Sequence, residues 1–223
     1  MALDIETVPG WDYSELQPVV RSWVDSRLRK INDGKEESEV WDYTKLASLD
    51  WDLGRVVCIS LGLYEAESDS IRLKSVVGVE EREVLEGFNR LIDGYSGDYL
   101  HFNGLNFDAP FILKRMSLHG LDIADKKFTQ LARYRTSPHY DLMQVWANWD
   151  YTRVKSLKVL AGIAGVPDPK DEMDGSLVHE YFKSGNLSPI RRYCEFDTAT
   201  VMNLYRTLVE GQEVIPRENY RFS

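Results

Sequence analysis

The run Val56-Val57-Cys58-Ile59-Ser60-Leu61-Gly62-Leu63 constrains this chain most. It is nearly continuous in apolar residues, the pattern of a strand buried on both faces. The segments around it supply what such a strand packs against. A polar turn from Glu65 to Asp69 leads to Ile71–Val76, whose alternation fits a hairpin partner with one wet face. Val84, Leu85, Phe88, Leu91 and Ile92 recur at helical spacing, and Gly94 and Gly97 end that helix. Tyr99–Phe102 reads as a short strand and Phe107–Leu118 as a helix closed by Gly120. From Tyr140 onward the pattern is mostly helical. Ser156–Ala164 turns Leu157, Leu160 and Ala161 inward, Asp168–Gly175 is a charged loop, and Ser176 is expected to cap a helix through Phe182. A long pattern runs from Ile190 to Val209, with Pro189 in its first turn. Strands interleaved with helices, then a helical half, give an α/β fold with one central mixed sheet flanked by helices.

Residues 11–50 fit this scheme least. They are rich in tryptophan and charge, with a helical stretch from Val19 to Ile31 and a polar break at Asn32–Ser38. They read as an insertion or mobile arm between the first two strands, near the functional site. Trp11, Trp23, Trp41 and Trp51 are either packing anchors or platforms for stacked bases. No run of about 18 apolar residues exists, and acids at positions 4 and 6 break any basic, apolar leader. The expectation is a cytoplasmic protein with no membrane partner. Cys58 and Cys194 lack CxxC spacing and read as reduced core thiols rather than a disulfide or zinc site.

Near the amino terminus, Asp4 and Glu6 flank Ile5. On a strand, a period of two sends both carboxylates to one face and Ile5 to the other. Paired carboxylates repel and are costly to bury, so a hard divalent cation between them is expected. Two acids cannot complete its shell. Asp108 stands where a strand and a glycine turn, Asn103-Gly104, lead into a helix. Asp197 lies on the core-directed stripe of the last helix, one turn from Tyr193.

Asp4-Ile5-Glu6, Asn103 with Phe107-Asp108, and Tyr193 with Asp197 together resemble the three motifs of the DEDD superfamily of 3′–5′ exonucleases, in its tyrosine-bearing (DEDDy) branch. More narrowly, the chain resembles predicted 3′–5′ exonucleases related to the proofreading domain of family B DNA polymerases. Leu157–Ser176 is similar to that family's segment before the last motif. The histidine branch would need His five residues before Asp197, where Arg192 stands. His101, His119, His139 and His179 are accordingly expected to be structural or surface residues.

The resemblance covers Leu3 to about Leu208 and implies a ribonuclease H-like fold, with residues 1–223 one exonuclease domain. It implies two Mg2+ or Mn2+ ions, about 3.5–4 Å apart in such sites. Asp4, Glu6 and Asp197 would hold one and Asp4 and Asp108 the other. Tyr193 would orient the attacking water, and Thr7, Asn103 and Phe107 would bind the terminal nucleotide. The substrate implied is single-stranded nucleic acid, DNA ahead of RNA, with recruitment by replication or repair proteins. The formal charge is −9, yet nine basic residues face four acids between Ala109 and Leu160, leaving that segment +5 and the rest −14. Its cations are expected to track the phosphates. The alternatives are a catalytically silent nucleic-acid-binding module of the same fold, an RNA-directed exonuclease, and a phosphohydrolase of nucleotides.

Overall fold

The computed structural model describes residues 1–167 and 173–222. Its sheet has six strands: β1 (Ala2–Pro9), β2 (Gly54–Glu65), β3 (Ser70–Val77), β4 (Tyr99–His101), β5 (His139–Asp141) and β6 (Tyr220–Phe222). Their spatial order is β5-β4-β1-β2-β3-β6. β2 pairs antiparallel with both β1 and β3, whereas β4 joins β1, β5 joins β4 and β6 joins β3 in parallel, which makes the sheet mixed.

The described helices are α1 (Pro18–Asn32), α2 (Tyr43–Ser48), α3 (Glu81–Ile92), α4 (Asp108–Leu118), α5 (Leu142–Trp146), α6 (Leu157–Ala164), α7 (Val178–Lys183) and α8 (Leu187–Leu208). α3 and α4 cover one face of the sheet, where Leu3, Ile5, Ile59 and Leu61 meet Phe88, Phe111 and Ile112. α8 covers the other, where Val8, Val57 and Cys58 meet Ile190 and Cys194. Both faces of β2 are therefore packed, as its apolar run requires. α8 lies close on β2 because Gly62 has no side chain: a Cβ there would stand 2.5 Å from the Met202 sulfur and 2.9 Å from a Thr198 methyl.

Residues 11–50 are a packed arm. Leu16, Val24, Leu46 and Ala47 form a buried cluster with Leu53 just beyond the arm, joined by Trp41 and Tyr43. The polar break is bridged by Asn32, whose amide donates to the Trp41 carbonyl and accepts from the Trp41 N–H, each at 2.8 Å. α2 is tied to β1 by the Thr7 hydroxyl, which donates to the Ser48 carbonyl at 2.5 Å. Trp11 and Trp23 are about half exposed.

Several expectations change. β5 and β6 are short strands not foreseen as such. Ser176 does not cap α7: its N–H donates to Asp174, which caps the 3-10 turn Gly175–Leu177 instead. Most of the charged loop expected at 168–175 lies outside the described residues.

Candidate active site

β1 sets the floor of a cleft of about 660 Å³. The alternation of Leu3, Asp4, Ile5 and Glu6 sends the apolar pair into the core beneath α3 and α4 and the acidic pair to the α8 side. Asp4, Glu6, Thr7, Asn103, Phe107, Asp108, Tyr193 and Asp197, all eight residues singled out in the sequence, line this cleft. Asp108 stands at the first turn of α4, and its Oδ1 accepts the Ile5 N–H at 3.1 Å. This bond fixes the start of α4 against β1 between the two acids. Asp197 comes from α8 and is 8% exposed. Gly175, in the turn before α7, lies over Tyr193: a Cβ there would be 3.3 Å from the Tyr193 hydroxyl.

The loop that carries Asn103 is held from below by Asp141, fully buried at the end of β5. Its carboxylate accepts the N–H groups of Asn103 (2.9 Å), Leu105 (3.0 Å) and Gln144 (3.3 Å). Asn103 itself has φ 70°, a left-handed conformation that asparagine tolerates better than most residues. Gly104 follows because a Cβ would stand 2.5 Å from the His101 ring.

Electrostatics makes the floor a site of concentrated negative charge. Burial raises the Asp4 pKa well above the ordinary range, and the charges of Asp108, Asp197 and Glu6 raise it further, against a thiol hydrogen bond from Cys194. Burial also pushes Asp108 up to about 7; its own amide and that of Ile5 oppose the shift, while Asp141 and Asp197 add to it. Carboxylates that resist ionisation side by side form a hard-oxygen donor set of the kind that suits a divalent cation. Asp4, Glu6 and Cys194 offer ligand atoms within 4.8 Å of one another.

Sequence reasoning missed three contributors. Cys194 reads as a core thiol, yet its sulfur lies 3.5 Å from Asp4 Oδ2. Asp141 is visible only as an acid at the start of a helical pattern, the usual signal of an N-cap. The third is which residues of the arm, itself expected near the site, form its wall: Asp42, Thr44, Lys45, Ser48 and Leu49 carry no local signal. His179, expected to be a structural or surface residue, also lines the cleft, and burial followed by the nearby Lys183 lowers its pKa.

The basic segment is placed elsewhere. None of its nine cations lines the cleft. Arg115 is buried and donates twice to Glu81, at 2.9 and 2.7 Å. Lys127 is occupied by Asp125 and the Gly97 carbonyl, and Arg153 by Asp150.

Residues 48–222 match a family model described as a predicted 3′-5′ exonuclease related to the exonuclease domain of PolB. That stretch includes Asn103, Phe107, Asp108, Tyr193 and Asp197, and begins after Asp4, Glu6 and most of the arm. Among solved structures, the chain is similar to the family B DNA polymerase from the hyperthermophilic archaeon Pyrobaculum calidifontis, with TM-score 0.59 and 17% identity. The likeness covers 93% of this chain and 24% of the polymerase, so the chain spans about a quarter of that protein's length. No curated protein matches. The mixed sheet flanked by helices is thus the α/β, ribonuclease H-like fold expected of that family. No described helix is long and apolar enough to cross a membrane.

Proposed function

Because the chain belongs to the family of predicted 3′-5′ exonucleases related to the exonuclease domain of PolB, we propose that it removes nucleoside monophosphates from the 3′ end of single-stranded nucleic acid, DNA in preference to RNA. The observation that carries this reading is the convergence of Asp4, Glu6, Asp108 and Asp197 on one cleft, where three of them oppose the ionisation of the fourth. Such a set would suit two magnesium or manganese ions, with Asp4, Glu6 and Asp197 as candidate ligands for one and Asp4 and Asp108 for the other. Bound there, the ions supply an activated water and offset the charge that builds on the scissile phosphate.

The chain's own residues then bind and orient. Tyr193 positions the attacking water through its hydroxyl; a phenol, ordinarily near pKa 10, serves as a hydrogen-bonding guide rather than a base. Phe107, at the mouth of α4, packs against the terminal base, and Asn103 and Thr7 steady the terminal nucleotide. Replication or repair proteins are the partners that would bring such strands to it.

Time-resolved digestion of matched 5′-labelled DNA and RNA oligonucleotides tests this, with magnesium, manganese or chelator and with Asp4→Ala alongside. The expected result is a metal-dependent ladder shortening from the 3′ end, faster on DNA and absent in the variant. Intact binding without a ladder on either strand would assign the protein to a silent module. Cleavage of free nucleotides with indifference to strand length would assign it to a phosphohydrolase.

A further inference from the structure

A cleft floored by carboxylates must still hold a polyanion, and the basic middle segment is not there to do it. Among the described residues that line the cleft, Lys45 is the single lysine or arginine. It sits on α2, in the wall supplied by the arm, and its side chain is exposed. No carboxylate pairs with it among the described residues; its ammonium lies instead 5.0 Å from the centre of the Trp41 ring. An indole attracts a cation without neutralising it, so the charge stays available to a further anion.

The position of Lys45 is also fixed. Leu46 and Ala47, the next two residues, are buried in the arm's core, and Asp42 caps α2 by accepting the Lys45 backbone N–H at 2.8 Å. Ser48 is bonded to Thr7, which follows Glu6 directly. The Lys45 ammonium is therefore carried on a short, braced helix anchored next to the acidic floor. Trp41 is braced in turn by Asn32, and Lys35 approaches the same ring at 5.2 Å.

We propose that Lys45 binds an internucleotide phosphate of the strand upstream of the scissile bond, and that the arm's function is to present this contact. The inference rests on the exonuclease reading for the identity of the strand, and it assigns to residues 11–50 a cation at the wall of the carboxylate-floored cleft. One ammonium on one phosphate strengthens binding without distinguishing bases.

The test compares wild type with Lys45→Ala, Lys45→Glu and Lys45→Arg on two substrates. One is a 5′-labelled oligodeoxythymidylate. The other is the p-nitrophenyl ester of thymidine 5′-phosphate, which has a scissile phosphodiester and no upstream phosphate. Lys45→Glu is expected to lower kcat/KM on the oligonucleotide about tenfold more than on the ester, through KM, with Lys45→Arg restoring most of the loss. For Lys45→Ala, the slope of log affinity against log salt should shrink by about 0.7, the value for one phosphate contact on a single strand. Equal losses on both substrates, or an unaltered salt slope, would overturn the proposal. Fluorescence-anisotropy binding of the oligonucleotide in calcium reads the same contact without turnover. If wild type cleaves neither substrate, the exonuclease reading fails, while equal binding by wild type and Lys45→Glu would separately reject the role of Lys45.

Discussion

Asp108 Oδ1 accepts the backbone N–H of Ile5 at 3.1 Å, so the acid that opens α4 is bonded to the strand between Asp4 and Glu6. The same side chain lines the cleft, so its hydrogen bond to the backbone and its charge can be tested separately.

Asp108→Asn keeps an oxygen for the Ile5 amide and removes the charge. The expected outcome is a melting temperature, without metal, equal to or above wild type, because a repelling carboxylate is gone. Turnover should fall by about a hundredfold or more, as for loss of an essential electrostatic group. Asp108→Ala also strands a buried N–H, costing about 1–3 kcal/mol. Thermal melts in chelator and single-turnover digestion separate the two effects.

Without metal, the protein should become less stable as pH rises. A carboxyl whose folded pKa is about 7 against an ordinary 3.8 binds its proton more tightly in the folded state, so its contribution to stability shrinks as pH rises from about 4 to 7. Asp4, shifted in the same direction, adds to the trend. Magnesium or manganese should reverse it, since cations compete with protons for these oxygens. The check is the metal-induced rise in melting temperature, larger at pH 8 than at pH 5.5; a rise independent of pH would count against the carboxylates as ligands.

Asp141→Ala leaves three backbone donors in a buried space, those of Asn103, Leu105 and Gln144. The expected loss is about 1–3 kcal/mol or more by denaturant titration. Because two of those donors belong to the loop leading to Asp108, kcat should also drop in protein that remains folded. Asp141→Asn, which can still accept through one oxygen, should recover part of both.

Tyr193→Phe removes the hydroxyl that lies against Gly175 and leaves the carboxylates untouched. Metal affinity, followed by calorimetry with manganese, should stay close to wild type. The turnover number should fall about tenfold or more. Loss of metal affinity would show that the hydroxyl serves the ligands and not the water.

Much of the architecture is legible because its signals are local. β1 declares itself by alternation and β2 by its apolar run, and α3 and α8 by helical spacing. β5 and β6 are only three residues each, and parallel partners far away in the sequence make them strands. Arg115 illustrates the opposite error: as a letter it is a surface cation, but Glu81, 34 residues earlier, holds it in the interior. The acids of the candidate site stand out because carboxylates on core-directed faces break the apolar pattern. Lys45 and His179 break no pattern, and only the docking of the arm and α7 around the floor brings them to it.

The Cys194 sulfur lies 3.4 Å from the Asp4 carbonyl, across a separation of 190 residues. During synthesis, then, the strand that carries the first two acids is made long before the helix that carries Tyr193 and Asp197. Until α8 docks on β1 and β2, the four carboxylates do not line one cleft. Long-range closure of this kind is slow compared with local helix formation. A nascent or C-terminally clipped chain would display the acidic strand without the helix that completes the cleft.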